Sequence, residues 1–300
     1  MAAIPENTLL ALSAAASWGG GDFSGGMGVK TIGGSTSGAL RVVILSHATS
    51  LALILLLLVL TGATVPHGAP VFWGLGCGLT GALSVTLFYI ALARGAMGTS
   101  AAVSGLLAAA VPAVVSAVLE GAPGGLRLAG FVLALIAIWA VAAGDSPENT
   151  GGQRGTMGLA IASGLGFGFY FVCLRMSNAL GVMEPIALAR AASLSTCTLL
   201  LLSIQLRRRR GNASRRIPST DTMNWQVAGW AIGVALLDTG GNLLFVAATR
   251  IGRLDVASVL ASLYPAVTIL LAAWRLQERP TRRQIGGMAM ALAAVLMITL

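Results

Sequence analysis

Charge is what this chain has least of. Only 10% of its 300 residues are Asp, Glu, Lys or Arg, ten of them acidic, against 56% hydrophobic. A soluble domain carries roughly a quarter of its residues as charged groups to keep its surface in water, so a free-standing soluble protein is excluded. Cysteine is scarce: Cys77, Cys173 and Cys197 sit singly in apolar stretches without CxxC spacing, which excludes a disulfide framework and a zinc site. His47 and His67 have no second ligand near them in sequence, and neither is read as a metal ligand. No Walker loop, Gly-x-Ser-x-Gly or His-Glu-x-x-His occurs, which argues against an ATP-driven pump and against an enzyme, and no cofactor is implied. No Lys or Arg precedes Lys30, so a cleaved signal peptide is not expected.

What is there is apolar length. Mean hydropathy is +0.85, and Val42 to Ala93 holds no Asp, Glu, Lys or Arg. A helix needs about 20 apolar residues to cross the hydrocarbon core, so that stretch holds two crossings, divided near Gly62 to Pro70. Apolar runs between Gly, Pro and charge breaks predict spans near 8–29, 37–61, 70–93, 98–119, 127–144, 155–178, 185–206, 225–249, 254–276 and 282–300. The fold class is therefore all-α, a polytopic membrane protein of ten transmembrane helices. The net charge of +9 lies in short connections, above all Arg207 to Arg210 with Arg215 and Arg216. It fits a loop against anionic lipid, and nucleic acid is not an expected partner.

The two halves, 1–150 and 151–300, read alike around the polar linker Asp145 to Arg154. Phe88 to Arg94 aligns with Leu244 to Arg250, and Arg41 with Arg190. Glu120, Arg127 and Gly130 align with Glu278, Arg283 and Gly286. The offset is roughly 150 to 158 residues, an internal symmetry usual in secondary transporters. Five spans is an odd number, so the second copy enters the membrane inverted: two inverted five-helix repeats are expected.

Three segments carry a resemblance: Ala15 to Gly26 with Trp18-Gly19, Phe88 to Gly98 with Val111-Pro112, and Ser258-Val-Leu-Ala-Ser-Leu-Tyr-Pro265 running on to Glu278-Arg279 and Gln284-Ile-Gly286. On these the chain resembles the EamA-type transporters of the drug/metabolite transporter superfamily over nearly its whole length. The resemblance implies ten helices in inverted repeats, a central cavity, and export or exchange of amino acids, related metabolites or drugs. Where that family often has a proline early in the fourth helix, this chain has Ala102-Val103-Ser104-Gly105.

Charge inside a bilayer is costly, about 2.5–3.5 kcal/mol per residue on insertion scales, so intramembrane ions mark candidate sites. Asp22 follows Gly19-Gly20-Gly21, a run where the helix can break; it reads either as a protonatable or ammonium-binding group or as a local cap. Asp238 and Asn242 share a helix face, as a cavity wall or an interhelical packing contact. Arg41 and Arg190 occupy matching positions and bind a substrate carboxylate, form gating ion pairs, or anchor at the headgroups. Trp18, Tyr89, Tyr170 and Tyr264 are candidates for an aromatic pocket, with interfacial packing as the alternative. Pro112 and Pro265 each remove a backbone hydrogen bond and are candidate kinks or gates.

The function expected is secondary active transport of a small molecule by alternating access, proton-coupled through Asp22 or Asp238. A channel-like facilitator and a membrane scaffold are the alternatives. The expected setting is the inner (plasma) membrane, as a monomer or homodimer. The positive-inside rule puts the Arg207 to Arg216 side in the cytoplasm and both termini outside, whereas the resemblance implies cytoplasmic termini.

Overall fold

A computed structural model of the chain describes residues 5–63, 66–94, 97–142, 153–211, 223–277 and 281–299. Most of the Asp145 to Arg154 linker, Arg215, Arg216 and Glu278 to Pro280 lie outside the described residues. The described chain is helical, with no strand among its elements: α1 (Glu6–Thr31), α2 (Thr36–Thr61), α3 (Pro70–Arg94), α4 (Met97–Leu119), α5 (Gly125–Ala142), α6 (Gln153–Met176), α7 (Glu184–Gly211), α8 (Trp225–Ile251), α9 (Leu254–Ala261), α10 (Tyr264–Leu276) and α11 (Arg282–Thr299).

Local chemistry sets the ends. The Ser35 side chain accepts from the Gly38 N–H at 2.9 Å and opens α2, while Asn224 opens α8 by accepting from Val227 N–H at 2.9 Å. Gly62, at φ 65°, closes α2 in the left-handed conformation that glycine adopts without penalty. The span expected at 254–276 is two helices. Ser262 and Leu263 turn between α9 and α10, and Pro265 sits in the first turn of α10, where its missing N–H costs nothing. Pro112, by contrast, is buried inside an uninterrupted α4.

Seven of these segments are long and apolar enough to cross a membrane, the α9–α10 pair (Leu254–Leu276) counting as one, and Gly125–Ala140 is a shorter apolar helix. Their outward side chains are apolar: Val59, Phe72, Val118 and Trp274 are each 74–80% exposed, a surface for acyl chains rather than water. Helix α1 is more polar than these because it lies inside the bundle, packed on α8, α10, α9 and α3. Elsewhere α3 packs on α6, α2 on α7, α5 on α11, and α4 on α6, α9 and α10.

The triple glycine does not break α1, which runs uninterrupted from Glu6 to Thr31, so Asp22 is not the cap of a half-helix. Those glycines permit close approach instead. A Cβ on Gly19 would lie 2.6 Å from the Tyr264 carbonyl oxygen, and one on Gly20 3.1 Å from Leu237. The tightest seat on this helix is Gly25, where a Cβ would lie 2.2 Å from Cζ of the Tyr89 ring. Alanine gains about 1 kcal/mol of helix propensity over glycine, but overpacking a rigid ring costs about 1–3 kcal/mol. Gly25→Ala is therefore expected to lower the thermal midpoint in detergent; a raised midpoint would show that the α1–α3 contact has slack.

Candidate functional site

Midway along the bundle, α1, α2, α3, α6, α7, α8 and α10 enclose a cavity of about 50 Å³. Seven of the residues singled out from sequence line it: Trp18, Asp22, Tyr170, Arg190, Asp238, Asn242 and Tyr264. Tyr89 is buried behind this wall, its ring seated on Gly25. Arg41, half-buried in α2, is not among the lining residues, so the matched arginines of the two halves occupy different surroundings. Pro112 and Pro265 do not line the cavity either, although Pro265 adjoins Tyr264 at the helix break. That break rests on Gly105, where a Cβ would lie 2.9 Å from the Pro265 ring and 3.0 Å from the Ser262 carbonyl oxygen. The Ala102 to Gly105 stretch, which departs from the family pattern, thus gives close access to the break.

Arg190 organises one wall. Its guanidinium is 4% exposed and pairs with the Asp238 carboxylate one helix away. Its Nε donates to Ser50 Oγ at 3.0 Å and its Nη1 to His47 Nε2 at 3.2 Å. Because a guanidinium can only donate, His47 Nε2 must be the accepting nitrogen. The imidazole is then the neutral tautomer, with Nδ1–H donating to Ser193 Oγ at 2.6 Å. Next to this wall the Tyr170 hydroxyl donates to Asn242 Oδ1 at 2.6 Å, and Asn242 Nδ2 donates to the Asp238 carbonyl at 2.6 Å.

The other wall is aromatic, with a single carboxyl group. Trp18 stacks on Phe171 with centroids 5.1 Å apart and planes 11° apart, and Phe245 packs against both. Gly241 makes room for the indole: a Cβ there would lie 2.6 Å from Trp18 Cδ1. Asp22, one turn beyond Trp18 on the same face of α1, has neither an ion pair nor a hydrogen bond among the described residues. The Tyr264 hydroxyl, also buried, has no hydrogen-bond partner there.

Sequence reasoning set aside His47 and passed over Ser50 and Ser193. The available signal was spacing. His47 and Ser50 lie three residues apart in the charge-free Val42 to Ala93 stretch, and Ser193 follows Arg190 by three, so each pair shares a helix face.

A second polar cluster ties the halves together at one end of the bundle. Glu120, just past α4, accepts from Arg175 Nη2 at 3.2 Å, from Ser116 Oγ at 2.7 Å and from the Leu254 N–H at 3.1 Å. Arg253 donates to the Glu120 and Gly121 carbonyls and pairs with Asp255 at 2.8 Å. Because Glu120 and Arg175 are partly exposed, the ion pair itself contributes little, and the lost acceptor of the Leu254 N–H dominates. Glu120→Ala is expected to cost about 1–2 kcal/mol, read as a lower thermal midpoint in detergent. An unchanged midpoint would mean that the cluster holds nothing.

Residues 155–300 match the model of the EamA-like transporter family. This match, over just under half of the chain, supports membership in that family of the drug/metabolite transporter superfamily and a membrane-transporter class. One solved crystal structure is similar over 99% of this chain and 99% of its own, with a TM-score of 0.68 and 17% identity, a likeness that shows the fold alone. No curated protein matches the chain.

Proposed function

We propose that this protein is a secondary active transporter that exports or exchanges a small metabolite by alternating access, with ten spans in two inverted five-helix repeats, 1–150 and 151–300. The observation that carries the reading is the cavity: helices of both halves meet around ionisable side chains midway along their length. The repeat is supported by the packing pattern. If α1 to α5 are exchanged with α6, α7, α8, the α9–α10 pair and α11, the contact of α1 with α8 becomes that of α6 with α3. The contacts of α2 with α7 and of α5 with α11 map onto themselves.

A cavity of about 50 Å³ holds a few waters, far less than the roughly 300 Å³ or more of a ligand pocket, so a metabolite enters only when the helices part. Opening toward the Glu120 end requires its contacts with α6 and α9 to break. Coupling to protons runs through Asp22, because Asp238 is already held by Arg190. The expected setting is the inner (plasma) membrane.

The test is reconstitution of the purified protein in liposomes. Saturable uptake, counterflow and acceleration by an imposed pH gradient are expected. Uptake indifferent to the gradient would remove proton coupling, and conductance without saturation or counterflow would replace the carrier by a channel.

A further inference from the structure

We propose that His47 is a second proton site of this protein, and that a proton on its ring and its bond from Arg190 exclude each other, so that acid unties α2 from the Arg190–Asp238 pair. The chemistry stands on the hydrogen bonds of the closed cavity; its meaning for transport rests on the alternating-access reading.

Arg190 ties three helices together: α7, which carries it, α8 through Asp238, and α2 through His47 and Ser50. The tie to α2 crosses from one half of the chain to the other. Its His47 arm depends on a single lone pair. Nε2 of a neutral imidazole has one, and here it accepts from Arg190 Nη1 at 3.2 Å. A proton taken from water onto Nε2 makes the ring a cation with two donors. The guanidinium then faces a donor and a like charge where it had an acceptor. Nδ1–H is indifferent to the change, because it donates to Ser193 Oγ at 2.6 Å with either ring. Ser193 is thus a pivot that keeps the ring in place while Arg190 leaves.

The titratable and charged side chains that share the cavity with His47 are Arg190 on α7, Asp238 on α8, Asp22 on α1, Cys77 on α3, Tyr170 on α6 and Tyr264 on α10. Of these only Arg190 is a permanent cation, so it is the group the ring must lose before it holds a charge. A ligand shifts a two-state equilibrium only by its different affinity for the two states. The proton meets that condition at His47: the tied state excludes it and the untied state admits it. Lowering the pH therefore depletes the tied state, and raising it restores the tie. The device belongs to one conformation. At the offset that aligns Arg41 with Arg190, His47 aligns with Thr196 and Ser50 with Leu199. An exchange of the two repeats therefore brings Arg41 no imidazole, and the proton at this site acts on one side of the cycle alone.

The test is NMR of the purified full-length protein in detergent, labelled at the nitrogens of histidine and arginine and titrated from about pH 8 to about pH 5, the interval in which imidazole changes charge. The chain has two histidines, and His67→Gln identifies the signals of the other. At the alkaline end His47 is expected as the neutral ring protonated on Nδ1. On acidification, ring charge and movement of the Arg190 Nε–H signal, which reports the bond to Ser50, are expected in one shared titration. A ring that stays neutral to the end of the range in folded protein overturns the proposal, as does a cationic ring beside an unmoved Arg190. His47→Gln supplies an oxygen that accepts from Arg190 and takes no proton, and is expected to hold the Arg190 signal still. An Arg190 signal that moves as in wild type would place the titration at Asp22 or Asp238 instead. Arg190→Met removes the competing donor and is expected to raise the proton affinity of His47 about tenfold or more; an unchanged affinity overturns the exclusion. The first two readings come from wild-type protein, so a poorly folded variant leaves them intact. Liposome uptake separates this site from the transport reading. Uptake that ignores a pH gradient sinks proton-coupled transport and leaves the exclusion standing, whereas a failed titration sinks the exclusion and leaves transport untouched.

Discussion

Asp238→Leu is expected to destabilise this protein more than any other single substitution in the cavity, by about 3–5 kcal/mol. The change leaves Arg190, 4% exposed, as an uncompensated cation inside the bundle. A carboxylate left alone can escape by binding a proton; a guanidinium cannot lose one. Arg190→Met should therefore cost less, about 3 kcal/mol, because Asp238 is 24% exposed to the cavity and can take up a proton or water. The Arg190→Met change also strips Ser50 and His47 of a donor, but both keep a second partner, in Thr239 and Ser193. The double variant Arg190→Met/Asp238→Leu should recover much of the loss, since two apolar side chains replace a pair whose desolvation offsets most of its attraction. Thermal unfolding of all four proteins in one detergent closes the cycle. Strictly additive costs would mean that the two side chains do not interact as the geometry has them.

The order of the helices was legible because lipid imposes a simple rule: roughly 20 apolar residues between polar breaks. The described helices begin and end within a few residues of the expected spans, from Glu6–Thr31 to Arg282–Thr299. What the rule does not read is the inside of a span. The break at Ser262 and Leu263 is invisible to hydropathy, and the proline that marks it opens a helix rather than kinking one. The triple glycine misled in the opposite sense. Backbone freedom allowed a break in α1, but glycine also lets helices touch, and the approach of α1 to α8 and α10 uses it so.

The cavity was half legible for a related reason. Charge deep in a span is rare enough to mark Asp22, Asp238 and Arg190 from sequence alone. A neutral His47 or a serine is common in such helices, and its part depends on which partner a neighbouring helix brings. Repeat symmetry gave Arg41 the same standing as Arg190, yet of the two it is Arg190 that lines the cavity, where it pairs with Asp238. Symmetry fixes where a residue lies along its helix. Its partners come from neighbouring helices of both halves, for Arg190 the Asp238 carboxylate of α8 and His47 and Ser50 of α2.

Asp22→Asn tests the remaining carboxyl group, with an expected fall in coupled transport of about thirtyfold to a thousandfold, the range that removing one member of a buried charge contact produces. Stability should change by no more than about 1 kcal/mol. The amide is nearly isosteric, and Asp22 has no hydrogen bond or ion pair to lose among the described residues. That separation is the force of the test. Substitutions at Asp238 and Arg190 disturb packing and transport together, so a transport loss there says little about mechanism. At Asp22 the two come apart, because the group contributes nothing to the resting fold that an amide does not also contribute. Asp22→Glu keeps the carboxyl group but lengthens the side chain in a cavity of about 50 Å³, and should retain coupling at a reduced rate. Liposome uptake with and without a pH gradient, set beside thermal midpoints, gives both readings. Wild-type coupling in Asp22→Asn would take the residue out of the mechanism.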